Sequence, residues 1–279
     1  MGSWGRKETD AMLRIEGNRI VFHYDAEEMW VEPWGENAVR IRATKQAAMP
    51  KEDWALLPLG EAVGDGMENA AAPGEDGRHW SRMGEGGAKL RNGKVEVHVT
   101  NGGKVTVYNQ EGKLLLEEYW RNRRDVTDPK CGAIEVEGRE FRPNIGGDYH
   151  LTMRLESLDR QEKIYGMGQY QQPYLNLKGL DLELAHRNSQ ASVPFAISSR
   201  GYGLLWNNPG VGRAVLGHNI MSFEAYGTKA LDYWFVAGDT PAEIEEAYAG
   251  ATGTVPMMPE YGLGFWQCKL RYQTQEELL

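Results

Sequence analysis

The chain has 279 residues, 41% hydrophobic and 10% aromatic, enough apolar material for one large all-β domain or two average domains. Its 40 acidic and 31 basic side chains leave a formal charge of −9, which argues against a nucleic-acid partner, because phosphates reward a basic face. No apolar run approaches the ~20 residues of a membrane span, and Met1 to Glu8 lacks the apolar core of a signal peptide.

Period-2 alternation dominates from Asn18 to Gly238, and each such run predicts a half-buried strand. Ile20, Phe22 and Tyr24 alternate with polar neighbours, and so do Val39 and Ile41. Gly60 to Gly87 holds eight glycines and few apolar residues, so a long mobile surface loop is expected there. Val95, Val97 and Val99, then Asn101-Gly102-Gly103, then Val105 and Val107 spell a hairpin with a turn that tolerates positive φ. Further strands are expected at Ile134/Val136, Leu151/Met153/Leu155, Val193/Phe195/Ile197, Tyr202/Leu204/Trp206 and Leu231/Tyr233/Phe235. Many short strands joined by Gly-rich turns point to a β-sandwich or barrel.

Thr240-Pro241-Ala242-Glu243 then starts a helix: an N-cap Thr, Pro at the first helical position, and Glu to complete the capping box. Ile244, Ala247 and Tyr248 share one face, and Gly250 is placed to end the helix. Thr252 to Pro259, with two prolines, reads as a linker. Gly262 to Lys269 follows as a strand with buried Phe265 and Trp266, and Thr274 with Glu277 caps a new helix. Strand then capped helix is the opening of a βα unit, so the chain reads as the N-terminal part of a longer protein, cut just inside a second domain. Cys131 and Cys268 fit no metal-ligand spacing; both are expected to be reduced and non-catalytic, in a cytoplasmic setting.

Between Ile164 and Pro209 the composition changes. Gly166-Met167-Gly168 lacks the third glycine and the βαβ surroundings of a nucleotide fingerprint, and reads as a tight bend leaving a strand. Gln169, Tyr170, Gln171, Gln172 and Tyr174 follow, then His186-Arg187-Asn188-Ser189-Gln190. Amides, phenols and a guanidinium are the groups that hydrogen-bond sugar hydroxyls, although the same run also suits a solvated loop with Tyr anchors. His186 has no second metal ligand at helix or strand spacing, so neither a metal nor a cofactor is expected.

The order of motifs here resembles glycoside hydrolase family 31, the α-glucosidases and α-xylosidases. Tyr165 to Gly168 comes first, then Val193-Pro194-Phe195, Arg200-Gly201-Tyr202-Gly203, Trp206-Asn207-Asn208-Pro209 and Tyr233-Trp234-Phe235. Gly238-Asp239-Thr240-Pro241, Thr252-Gly253, Pro256, Pro259 and Gly262 to Cys268 complete the series. The resemblance implies a mainly β, galactose-mutarotase-like β-sandwich over residues 1–255, with residues 256–279 opening a truncated (β/α)8 barrel. It implies retaining hydrolysis by an Asp nucleophile and an Asp acid with carboxyls ~5 Å apart. Both would come from later barrel strands, so no catalytic residue is assigned in this chain. The substrate groups implied are Gln169, Tyr170, Gln172, His186, Arg187 and Asn188 on the loop spanning 169–190, with Trp266 and Arg271 on the first barrel strand. Many relatives carry Trp-Asn-x-Asp late in this loop; here His186-Arg187-Asn188-Ser189 has no matching Asp. The expected partners are an α-linked oligosaccharide, the chain's own barrel and, in a homo-oligomer, further copies of the chain. A non-catalytic carbohydrate-binding or structural sandwich is the alternative, and a free-standing aldose mutarotase rests on fold analogy alone.

Overall fold

A computed structural model describes residues 13–58, 79–83, 87–119 and 136–279. Its first strands are β1 (Leu13–Glu16), β2 (Arg19–Tyr24), β3 (Glu27–Pro33), β4 (Ala38–Thr44), β5 (His79–Met83) and β6 (Gly87–Asn92). Next come β7 (Val95–Val99), β8 (Val105–Asn109), β9 (Leu114–Glu117), β10 (Arg139–Pro143), β11 (Tyr149–Glu156) and β12 (Ile164–Gln169). The last are β13 (Asp181–Leu184), β14 (Ala191–Ser198), β15 (Tyr202–Trp206), β16 (Gly212–Leu216), β17 (Ile220–Thr228) and β18 (Leu231–Ala237), followed by helix α1 (Pro241–Thr252).

One sheet has eight strands in the order β1-β2-β3-β4-β18-β15-β14-β12; β10-β11-β17-β16-β13 and β5-β6-β7-β8-β9 form two five-stranded sheets. The smaller sheets meet where Glu118 bridges Leu155 of β11, and one apolar core draws on all three. The valine hairpin forms as its alternation predicts, with Val97 opposite Val107 and all five valines buried. In β18 alternation instead sorts residues between two interiors. Leu231, Tyr233, Phe235 and Ala237 enter the main core, while Trp234 and Val236 join Phe195, Leu205, Leu56 and the helix residues Ile244 and Ala251 behind the large sheet.

Helix α1 starts where expected: Thr240 Oγ1 accepts the Glu243 N–H at 3.3 Å. It runs past Gly250 and ends at Gly253, whose φ of 107° stops it. The extra turn buries Ala251 and lets the Thr252 hydroxyl donate to the Tyr248 carbonyl, which outweighs the weak helix preference of one glycine. The Tyr248 ring stacks on Phe195, centroids 4.0 Å apart, and docks the helix on the sheet.

Three expectations are corrected. The glycine-rich stretch is not loop throughout: β5 lies inside it and pairs with β6, which begins at its last residue, and residues 59–78 and 84–86 lie outside the described residues. Gly262 to Lys269 is not a strand. A 3-10 turn at Glu260–Leu263 is followed by irregular chain, because an isolated strand has no neighbour to take its backbone hydrogen bonds. Phe265 is 89% and Trp266 74% exposed rather than buried. Thr274 Oγ1 does accept the Glu277 N–H at 3.3 Å, but the residues beyond form a turn, as one capped turn is too short to propagate.

Deleting 259–279 is therefore expected to leave the thermal midpoint of the sandwich within about 2 °C and to raise solubility, since the segment adds exposed apolar area without core contacts. Calorimetry of the two chains checks this; a drop of many degrees contradicts it.

Candidate functional site

Gly166, Met167 and Gly168 all have positive φ, at 93°, 65° and 91°. They form a bulge within β12 rather than a bend leaving it. The pairing jumps from Gly166–Ala196 to Gly168–Ser192, so two steps on β12 face four on β14. Pro194, with no N–H to give to the ladder, sits in the skipped stretch. Met167 is driven into the core, and the chain leaves β12 at the exposed Gln169.

The segment that follows is tied down by a buried network. Lys178 Nζ lies 2.6 Å from Glu162 Oε2, both side chains being about 1% exposed. Glu162 Oε1 accepts from Ser198 at 2.5 Å and from Tyr202 at 2.7 Å. Burial, and then the Glu162 charge, pushes the Tyr202 phenol well above its usual range, so it stays protonated and donates. Asn176 Oδ1 accepts the Ile164 and Lys178 N–H groups, and the Leu177 N–H donates to the Ile164 carbonyl at 2.7 Å.

The polar run is not wholly loop, because β13 pairs with β16 in the second sheet. Tyr170 fastens β13 to β14: its hydroxyl donates to the Glu183 carbonyl and meets Ser192 Oγ, each at 3.0 Å. The exposed His186 accepts the Ser192 N–H on Nδ1 at 3.3 Å, and Arg187 pairs with Glu183 at 2.6 Å. Arg187 and Gln190 close a tight turn that leaves Asn188 exposed at its tip. Gln172 is half-buried, and its Nε2 has no hydrogen-bond partner among the described residues. The structure thus gathers Tyr170, His186, Arg187 and Asn188 around Glu183 and Ser192, with Gln169 and Gln172 on the adjoining chain. It does not bring Trp266 or Arg271 to them: the Trp266 Nε1 donates to Gly262, and Arg271 sits in an exposed turn of the same tail.

Sequence reasoning missed the Lys178–Glu162 pair, since both residues stand in stretches that read as polar surface. It also missed the outer face of the large sheet, where Arg40 and Arg42 alternate with Val39 and Ile41, a pattern that predicts only a half-buried strand. Arg40 is fully buried, bound to Asp232 at 3.0 and 2.6 Å and to Asp53 at 2.5 Å. Cys268 is an exposed free thiol, and Cys131 lies outside the described residues. Among the described residues no three His, Cys, Asp or Glu converge as a metal site, and no helix is long and apolar enough to cross a membrane.

Residues 28–212 match the family model of the glycosyl hydrolase 31 N-terminal galactose mutarotase-like domain. The chain belongs to glycoside hydrolase family 31. An uncharacterized family 31 glucosidase, ORF2 of Pseudescherichia vulneris, is 45% identical over 271 residues, 94% of this chain and 48% of that protein. An alpha-xylosidase of Saccharolobus solfataricus is 29% identical over 186 residues, 62% of this chain and 24% of its own length. Among solved structures, a GH31 alpha-xylosidase from a soil metagenome, complexed with xylose, superposes with a TM-score of 0.82 at 45% identity over 95% of this chain and 38% of that one. The chain therefore spans half or less of the length of these family 31 proteins.

Proposed function

We propose that this chain is the N-terminal region of a retaining α-glycosidase that hydrolyses α-xylosidic or α-glucosidic bonds in oligosaccharides. The likeness to the xylose-bound metagenomic enzyme, at 45% identity over nearly the whole chain, carries the reading and favours α-xylosides. On this reading residues 1–255 form the β-sandwich domain and 256–279 lead into the barrel, which supplies the two catalytic carboxyls. The chain itself contributes binding rather than bond cleavage.

The segment 169–190 overhangs the substrate in this proposal. Its pinned base supports that role, because Lys178, Asn176 and Tyr170 fix the backbone while Gln169, Arg187 and Asn188 remain exposed. Trp266 and Arg271 take sugar-facing places once the barrel orders the tail. Full-length enzyme assayed on aryl α-xylosides and α-glucosides tests the reading. No hydrolysis of either, alongside a correctly folded barrel, would favour the non-catalytic sandwich.

The loop carries its own expected outcome. Gln169→Ala and Arg187→Ala in the full-length enzyme should lower kcat/KM on oligosaccharides while sparing aryl glycosides, whose leaving group makes few hydrogen bonds. One lost bond to a neutral hydroxyl costs roughly 0.5–1.5 kcal/mol, a few-fold to about tenfold. Equal losses on both substrate types would make the loop structural.

A further inference from the structure

The outer face of the eight-stranded sheet carries a groove that meets the loop described above only at one end, near His186 and Ser192. It consists of two cavities, of about 390 and 450 Å³, which share Trp54, Pro209 and Gly210. Each is within the size range of small-ligand sites. Trp54 is 58% exposed and has φ 56°, a backbone conformation that a bulky side chain rarely adopts.

Buried side chains hold the backbone on both sides of this indole. Asn207 donates to the Asp53 carbonyl at 3.0 Å and accepts the Ala55 N–H at 3.1 Å. Arg40 donates to the Asp53 carboxylate and to the Glu52 carbonyl, and is itself anchored on Asp232. Arg42 donates to the Pro50 carbonyl at 3.3 Å. An aromatic ring that served packing would turn inward. Here the buried polar network fixes the backbone on either side of Trp54, and the ring is left exposed to solvent.

We propose that this groove binds a neutral saccharide, with the Trp54 indole as the platform for one pyranose ring. Glu52, Asp148 and Lys229 line one cavity, and among the described residues their side chains make no hydrogen bond or ion pair. Two free carboxylates accept from sugar hydroxyls and the ammonium donates to one, while the C–H face of the ring covers the indole. The other cavity is apolar at Val193, Pro194 and Val211, and reaches His186. An anionic ligand would meet two carboxylates on a chain of net charge −9. An apolar peptide would strip water from those charges without replacing their hydrogen bonds. The choice of a saccharide over other neutral polyols rests on the family 31 reading; the position of the groove does not.

Calorimetric titration of this chain with xylose and with an α-xylosylated gluco-oligosaccharide tests the proposal. Millimolar binding is expected, at least tenfold weaker in Trp54→Ala and weakened several-fold in Asp148→Asn. Trp54→Gly separates binding from folding, because it relieves the positive φ: its melting temperature should equal or exceed that of the parent while binding is lost. Absence of heat at tens of millimolar sugar, or unchanged affinity in folded Trp54→Gly, would overturn the assignment. Hydrolysis by the full-length enzyme is a separate readout, so failure of this groove is distinguishable from failure of the glycosidase reading.

Discussion

Replacing Arg139 with Met is expected to lower the unfolding free energy of the sandwich by about 3–5 kcal/mol, the usual cost of breaking one side of a buried ion pair. Glu118 is fully buried, and Arg139 Nη1 lies 2.5 and 2.6 Å from its two oxygens. The same guanidinium donates to Glu27 at 2.7 Å and to the Gly103 carbonyl at 3.0 Å. The Val105 N–H gives Glu118 one further bond at 2.8 Å. Met fills the volume but leaves a dry carboxylate and an unmet carbonyl at the seam of the two smaller sheets, where Glu118 bridges Leu155. The double variant Arg139→Met, Glu118→Gln should recover more than half of the loss, since the charge that needed a partner is gone. Urea unfolding of the single and double variants measures both. A single-variant loss below about 1 kcal/mol would mean that water reaches the seam.

Gly168→Ala is expected to cost about 3 kcal/mol or more, combining an unfavourable positive φ with overlap that cannot relax. A Cβ there would lie 2.2 Å from the Ala191 carbonyl oxygen and 2.6 Å from the Val193 nitrogen, both backbone atoms of the neighbouring strand. Gly112→Ala isolates the φ contribution, because φ is 79° there and nothing lies within 4 Å; it should cost about 1–2 kcal/mol. If the two variants unfold alike, the strand–strand approach at the bulge is looser than the geometry implies. On the proposed α-glycosidase reading, Gly168→Ala in the full-length protein should also raise KM for oligosaccharides, since Gln169 follows the bulge directly and would be displaced with it.

Local pattern made most of the fold legible. Alternating valines wrote the β7–β8 hairpin, and Thr240 to Glu243 wrote the start of α1, because both elements are decided by neighbours a few residues away. The family was legible too, since irregular points such as the bulge at Tyr165 to Gly168 and the loop at Trp206 to Pro209 demand particular residues in a particular order. Of the candidate loop residues, Gln169, Arg187 and Asn188 are exposed, whereas Tyr170 is occupied in holding β13 to β14, a contact that the local sequence does not show.

What the sequence determined by itself, then, was strand periodicity, the helix cap, the turns and the family. Tertiary structure decided which faces stay dry. Alternation divides a strand into two faces but does not reveal that both will be covered, as in β18, where all seven residues are buried. Nor does it show that Arg40 will find Asp232, 192 positions away, and thereby hold Trp54 in solvent. Strand pairing is equally a property of neighbours: β5 forms because β6 lies beside it, and Gly262 to Lys269 stays irregular because no strand does. A backbone hydrogen bond between strands needs two partners, and a sequence read locally supplies one.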